Sequence, residues 1–93
     1  MNKIIINVSE FSQEIDMLER FYYEIEARTK ILNYMIKENN EENEIFKKYW
    51  ENFLEYLKAY DNLKNDFYRN HLSEYTEGNW TLDFMTKEVV ITD

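Results

Sequence analysis

At 93 residues without cysteine or proline, the chain is sized for one domain and holds neither a disulfide framework nor thiolate metal ligands. Eleven basic against nineteen acidic residues leave a formal net charge of −8, which opposes direct binding to phosphate backbones and anionic membranes. That charge does not imply disorder, because 44% of the residues are hydrophobic and 17% aromatic, enough apolar side chain to close a core.

The first element in chain order is the β-branched run KIIINV, which predicts a strand over 3–8. Its three isoleucines are too few for a signal-peptide core or a membrane span, and with the absence of cysteine this points to a reducing, cytoplasmic setting. The abundance of Lys, Asn, Ile, Glu and Tyr suits an AT-rich bacterial or phage genome.

From Phe11 the series Phe11, Ile15, Leu18, Tyr22, Ile25, Thr29, Leu32 and Ile36 alternates spacings of four and three, as in coiled-coil helices. It predicts an amphipathic helix over 10–37, capped by Ser9 or Ser12, with Glu10, Glu14 and Asp16 at its positive end. A flanking row of Met17, Phe21, Ile31 and Met35 widens the apolar stripe at both ends, interrupted by Glu24 and Arg28, which are spaced to pair with each other. The segment KENNEEN then offers no apolar residue, and Asn39-Asn40 suits a reversal, so a turn is predicted over 38–43 with Asn40 or Asn43 capping the next helix.

That second helix is predicted over 44–76 from Phe46, Tyr49, Phe53, Tyr56, Tyr60, Leu63 and Phe67, with Trp50, Leu54 and Leu57 thickening its first half. Phe46, Phe53 and Phe67 are read as core, and Gly78, the sole glycine, as the stop. Beyond it the period drops to two: Trp80, Leu82 and Phe84 alternate with Thr81 and Asp83, and EVVIT follows. A β-hairpin is predicted over 79–92, turning at Met85-Thr86-Lys87 with Asp83 accepting from the turn amides and Thr86 assisting. A tight two-residue primed turn is not expected, for want of glycine there. A lone hairpin is marginal, so the N-terminal strand is expected to join it. The fold class that results is mainly α: a long antiparallel helical hairpin with a small antiparallel β-sheet, one domain over 1–93.

Catalytic constellations are missing. His71 is the single histidine; Ser73 lies two positions away on a helix, the wrong face for a relay. His71 and Glu74 supply only two metal ligands, and His71 is read as a surface or helix-end residue. One glycine cannot build a phosphate loop. No catalytic, cofactor or metal residues are therefore assigned, and no enzyme activity is expected.

What remains is surface. Two helices hide about two apolar rows from each other, and here the second helix carries nearer three, so the surplus must meet the sheet, a second copy or another protein. On the first helix an outer row of Arg20, Tyr23, Ala27, Lys30, Tyr34 and Lys37 mixes bases with tyrosines beside an acidic edge of Glu19 and Glu26. Arg20, Tyr23, Lys30, Tyr34 and Trp50 are the candidate partner-binding residues, since aromatics and Arg anchor interfaces. The expected function is a non-catalytic adaptor that binds another protein or itself as a homodimer, without membrane or direct nucleic-acid contact. The alternative is a small acidic inhibitor that mimics nucleic acid and blocks an enzyme that binds it, of the phage anti-defence type, on the strength of the charge.

Length and the two-helix plan invite comparison with the small secreted helical hairpins that carry a Trp-x-Gly turn. KENNEEN lacks that motif, and Gly78-Asn79-Trp80 presents the reverse order after the second helix, so the chain is not assigned to that family.

Overall fold

The computed structural model describes residues 3–38 and 43–92. In chain order they form strand β1 (Ile4–Asn7), a single 3-10 turn (Ser9–Phe11), helix α1 (Ser12–Lys37), helix α2 (Glu44–Phe67), a π-helical turn (Tyr68–Leu72), and strands β2 (Trp80–Asp83) and β3 (Glu88–Ile91). The fold is mainly α, a helical hairpin with a small three-stranded antiparallel sheet, as the change of period from 3.6 to 2 implies.

The strand order is β1-β3-β2, so the terminal strands do pair within one chain. In that register Ile6, Val89 and Leu82 share one cross-strand row, and Ile4, Ile91 and Trp80 the next. Side chains alternate between faces along a strand, so these six residues point to one side, and Val89 and Ile91 at its centre are fully buried. The hairpin turn follows its expectation: Asp83 Oδ1 accepts from the Met85 and Thr86 amides at 2.9 and 3.1 Å. Lys87 takes the left-handed position that glycine would ordinarily fill, at φ 55°.

Three local expectations are corrected. Neither Ser9 nor Ser12 caps α1. The chain leaves β1 directly into the 3-10 turn, and Asn7 Oδ1 accepts from both the Ser9 amide and the Ser9 hydroxyl, at 3.0 and 2.6 Å. The second helix is α-helical to Phe67, not to 76; one wide π turn follows, then a turn in which the Tyr75 and Thr76 amides both donate to the Leu72 carbonyl. A π turn inserts a residue and shifts the downstream side chains by about 100°. Here it sends Leu72 into the core and leaves Asn70 outside. Gly78, at φ 135°, therefore closes a loop and not a helix; buried Thr76 holds that loop by accepting from the Gly78 and Asn79 amides. At the other end of α2, Asn43 is the cap: its Oδ1 accepts from the Ile45 amide at 2.8 Å and its carbonyl from the Lys47 amide. The predicted turn over 38–43, with Asn39-Asn40, falls largely on 39–42, outside the described residues.

The chain divides into two compact units, one comprising 1–19 and 63–93, the other 20–62. Within the described part of the first lie Val8, Ile15, Leu18, Phe67, Leu72, Val89 and Ile91, all buried. Phe67 is the hub: its ring meets Phe11, His71 and Trp80 at centroid distances of 6.3, 5.0 and 6.0 Å. Burying each such side chain contributes about 1.5–3 kcal/mol. The second unit is a two-helix arm, and among its described residues the only buried large apolar side chain is Leu32. Phe46 and Phe53, expected in the core, are not sealed there: Phe46 and Phe53 are only half-buried, and the flanking Ile31 is exposed. A helix with one neighbour has lost only one side to contact, so its row flanks stay in water.

Candidate interaction surface

The arm is held at mid-length by Arg28. Its Nε donates to Asn52 Oδ1 at 2.7 Å, its guanidinium lies 3.8 Å from the centroid of the Tyr56 ring, and Glu24 pairs with it one turn back, as the sequence spacing predicts. Phe21 packs on Tyr56 and Tyr22 on Tyr60 at centroid distances of 5.6 and 6.4 Å. Positions rise along α1 as they fall along α2, the antiparallel pairing expected of a helical hairpin. Burial, reinforced by the nearby Tyr22 and Asp61, raises the Tyr60 hydroxyl above the ordinary tyrosine value. Beside Tyr56 a shallow open groove of about 290 Å³ is lined by Phe21, Glu55, Tyr56 and Ala59.

The predicted partner-binding residues are all solvent-facing. Arg20, Tyr23, Lys30 and Tyr34 recur at spacings of three, seven and four along α1 and so share one exposed face, on which Tyr34 is 65% exposed. Tyr23 stands edge-on to Tyr22 at 5.7 Å. Trp50 belongs to α2, where it lies between Phe46 and Phe53 at 6.4 and 5.8 Å and remains 44% exposed. Its ring contacts are to its own helix.

Sequence reasoning missed a larger set. Tyr22, Ile36 and Tyr49 occupy registers read as buried, yet all three are exposed, as are Ile45 and Leu54. The signal was present but unused: these positions lie within 20–62, a stretch whose sequence offers no strand of its own to serve as a third layer over them.

His71 lies at a helix end, as one half of its reading has it, but its side chain is largely covered and not at the surface. In the sheet-bearing unit its ring stacks on Phe11 at 3.6 Å, stands edge-on to Phe67, and places Nε2 at 2.9 and 3.0 Å from the two Glu14 carboxylate oxygens. The side chain is 14% exposed. Its acidic partner is Glu14, on α1, and not Glu74. The arrangement joins the π turn to the start of α1. An open concavity of about 610 Å³ lined by Ser73, Glu74, Tyr75, Thr76, Glu77 and Asn79 lies on the following loop, and His71 is not part of its lining. Among the described residues no three His, Asp or Glu side chains converge as a metal site, and no helix is long and apolar enough to cross a membrane.

No family model, curated protein or solved structure matches the chain.

Proposed function

We propose that the chain is a non-catalytic interaction protein of adaptor type, which presents its two-helix arm to another protein. One observation carries this reading: along the described part of 20–62 Leu32 alone among large apolar residues is buried, while Tyr22, Tyr23, Ile31, Tyr34, Ile36, Ile45, Tyr49, Trp50 and Leu54 are all exposed. Scattered exposed apolar residues are ordinary, but a short arm covered by them on both helices presents the kind of surface that binding partners shelter. Tyrosine and tryptophan add large contact area at small conformational cost, and Arg20 and Lys30 supply a polar rim.

Affinity capture with the full chain, with identification of the bound protein and sedimentation velocity of the reconstituted complex, tests the reading. The double variant Trp50→Glu/Leu54→Glu is expected to lose the partner while keeping the helix content and Tm of the parent. A chain that captures no protein from its source cell would count against it. The acidic-mimic alternative wants ordered rows of carboxylates; along α2, Lys47, Lys48, Lys58 and Lys64 interleave with Glu44, Glu51, Glu55 and Asp61, so the charge pattern favours the adaptor reading.

A further inference from the structure

Strand β1 forms one edge of the sheet and carries three consecutive isoleucines, with Ile4 48% and Ile5 60% exposed. Its hydrogen-bonding direction can be read from the ladder. The Val8 amide donates to the Lys87 carbonyl at 2.9 Å, which continues the β1–β3 register. In an antiparallel ladder alternate residues face the neighbouring strand, so Ile6 and Ile4 turn their backbone groups to Val89 and Ile91. Ile5 and Asn7 therefore aim their N–H and C=O outward, along an edge with no strand beside it among the described residues. Natural sheets usually blunt such an edge with proline, a bulge or an inward charge, and within Ile4–Asn7 none of these occurs.

We propose that this edge is an interface for a second copy of the chain, the two β1 strands pairing antiparallel about a two-fold axis at Ile5 to make one continuous six-stranded sheet. Residue types and charge both select that partner and that register. With Ile5 opposite Ile5 of the second copy, the outward backbone groups meet, and Ile4 falls opposite Ile6 of the second copy in a non-hydrogen-bonded pair, where side chains approach most closely. The half-exposed Ile4 is then covered. On the other face the rows Thr81, Val90, Ile5 of both copies join end to end. The same register sets Lys3 of one copy beside Asn7 of the other, in line with Glu88 and Asp83 on the neighbouring strands. Strands lie about 4.8 Å apart, so Lys3 and Glu88, two strands away, can span the gap with their side chains. A parallel pairing of the same two edges turns one sheet over relative to the other, so Lys3 of one copy and Glu88 of the second fall on opposite faces and this charge pair is not made. The junction uses no residue of the arm, and its failure would leave the adaptor reading untouched.

Sedimentation velocity of the full chain over a concentration series, with amide hydrogen exchange on the same samples, tests the proposal. The expected result is a concentration-dependent dimer in which the Ile5 and Asn7 amides become protected as dimer forms. Ile5→Lys places two cations opposite each other at the two-fold and is expected to weaken the dimer by about tenfold or more. Lys3→Glu, at an exposed position with no structural role in the core, is expected to weaken it less, and adding Glu88→Lys to Lys3→Glu is expected to restore it. The overturning results are a chain that stays monomeric with fast exchange at Ile5 and Asn7, a dimer indifferent to Ile5→Lys, or a charge exchange that fails to rescue.

Discussion

The sheet-bearing unit and the two-helix arm are built from the same two helices with the same three-four spacing, yet they bury that spacing differently. In the first, Ile15, Leu18, Phe67 and Leu72 are all sealed; in the second, Leu32 alone is sealed and the equivalent Tyr22, Ile36 and Tyr49 are exposed. The difference is a third layer. Where the sheet supplies Val89, Ile91, Trp80 and Leu82, a helix row has neighbours on more than one side; residues 20–62 hold no strand of their own among the described residues, and contact between the two helices there covers the row's centre and leaves its flanks wet. Amphipathic periodicity thus reports which side of a helix is apolar, and the number of neighbours decides how much of that side is hidden.

This contrast is most directly broken by truncating one phenylalanine in each unit. Phe67→Ala is expected to cost about 3–5 kcal/mol, while Phe53→Ala costs less than half as much because its ring is already partly solvated. Urea denaturation measures both, and equal losses would dissolve the distinction. Next in size, His71→Ala removes a ring wedged against Phe11 and Phe67 together with its bond to Glu14, and should lower stability by about 2 kcal/mol. Trp50→Ala should change stability by less than about 1 kcal/mol, since its ring is already 44% exposed. Similar in size, Asn7→Ala removes the acceptor that receives Ser9 as the chain enters its first helical turn, for about 1 kcal/mol.

The smallest effect is one of pH and belongs to the arm. Because the Tyr60 hydroxyl titrates above the ordinary value of 10.0 in the folded chain, ionisation is disfavoured there relative to the unfolded chain. Its contribution is fully present below about pH 10 and is lost as pH rises through the folded value. Thermal melts across that alkaline window should fall more steeply for the parent than for Tyr60→Phe. Identical slopes would show that Tyr60 contributes nothing to the pH dependence.

Much of the fold was legible in the residues. The 3.6 period located both long helices, the Asp83 to Lys87 segment announced its own turn chemistry, and Asn43 was one of two asparagines offered as a cap, the structure deciding for it. Glu24 and Arg28 were paired from spacing alone, and pair they do, but their link to Asn52 and Tyr56 joins residues more than twenty positions apart, which no local pattern encodes. His71 was placed at a helix end, where it lies, but its cover was not legible for the same reason: Phe11 and Glu14 come from the far end of the chain. The candidate surface was legible in kind, as excess aromatic and aliphatic rows, but the exposed set extended into registers that periodicity alone assigns to a core.

The order of amino acids by itself determined the local elements, because capping, turn preference and side-chain period act within a few residues of each position. It also determined that apolar surface exceeds what two helices can shelter. Only the tertiary structure decided where the surplus lies, because burial depends on which distant segments arrive as neighbours. Phe67 receives the sheet as a neighbour and is sealed; residues 20–62 hold no strand of their own among the described residues, and their exposed tyrosines, isoleucines and Trp50 remain in contact with water.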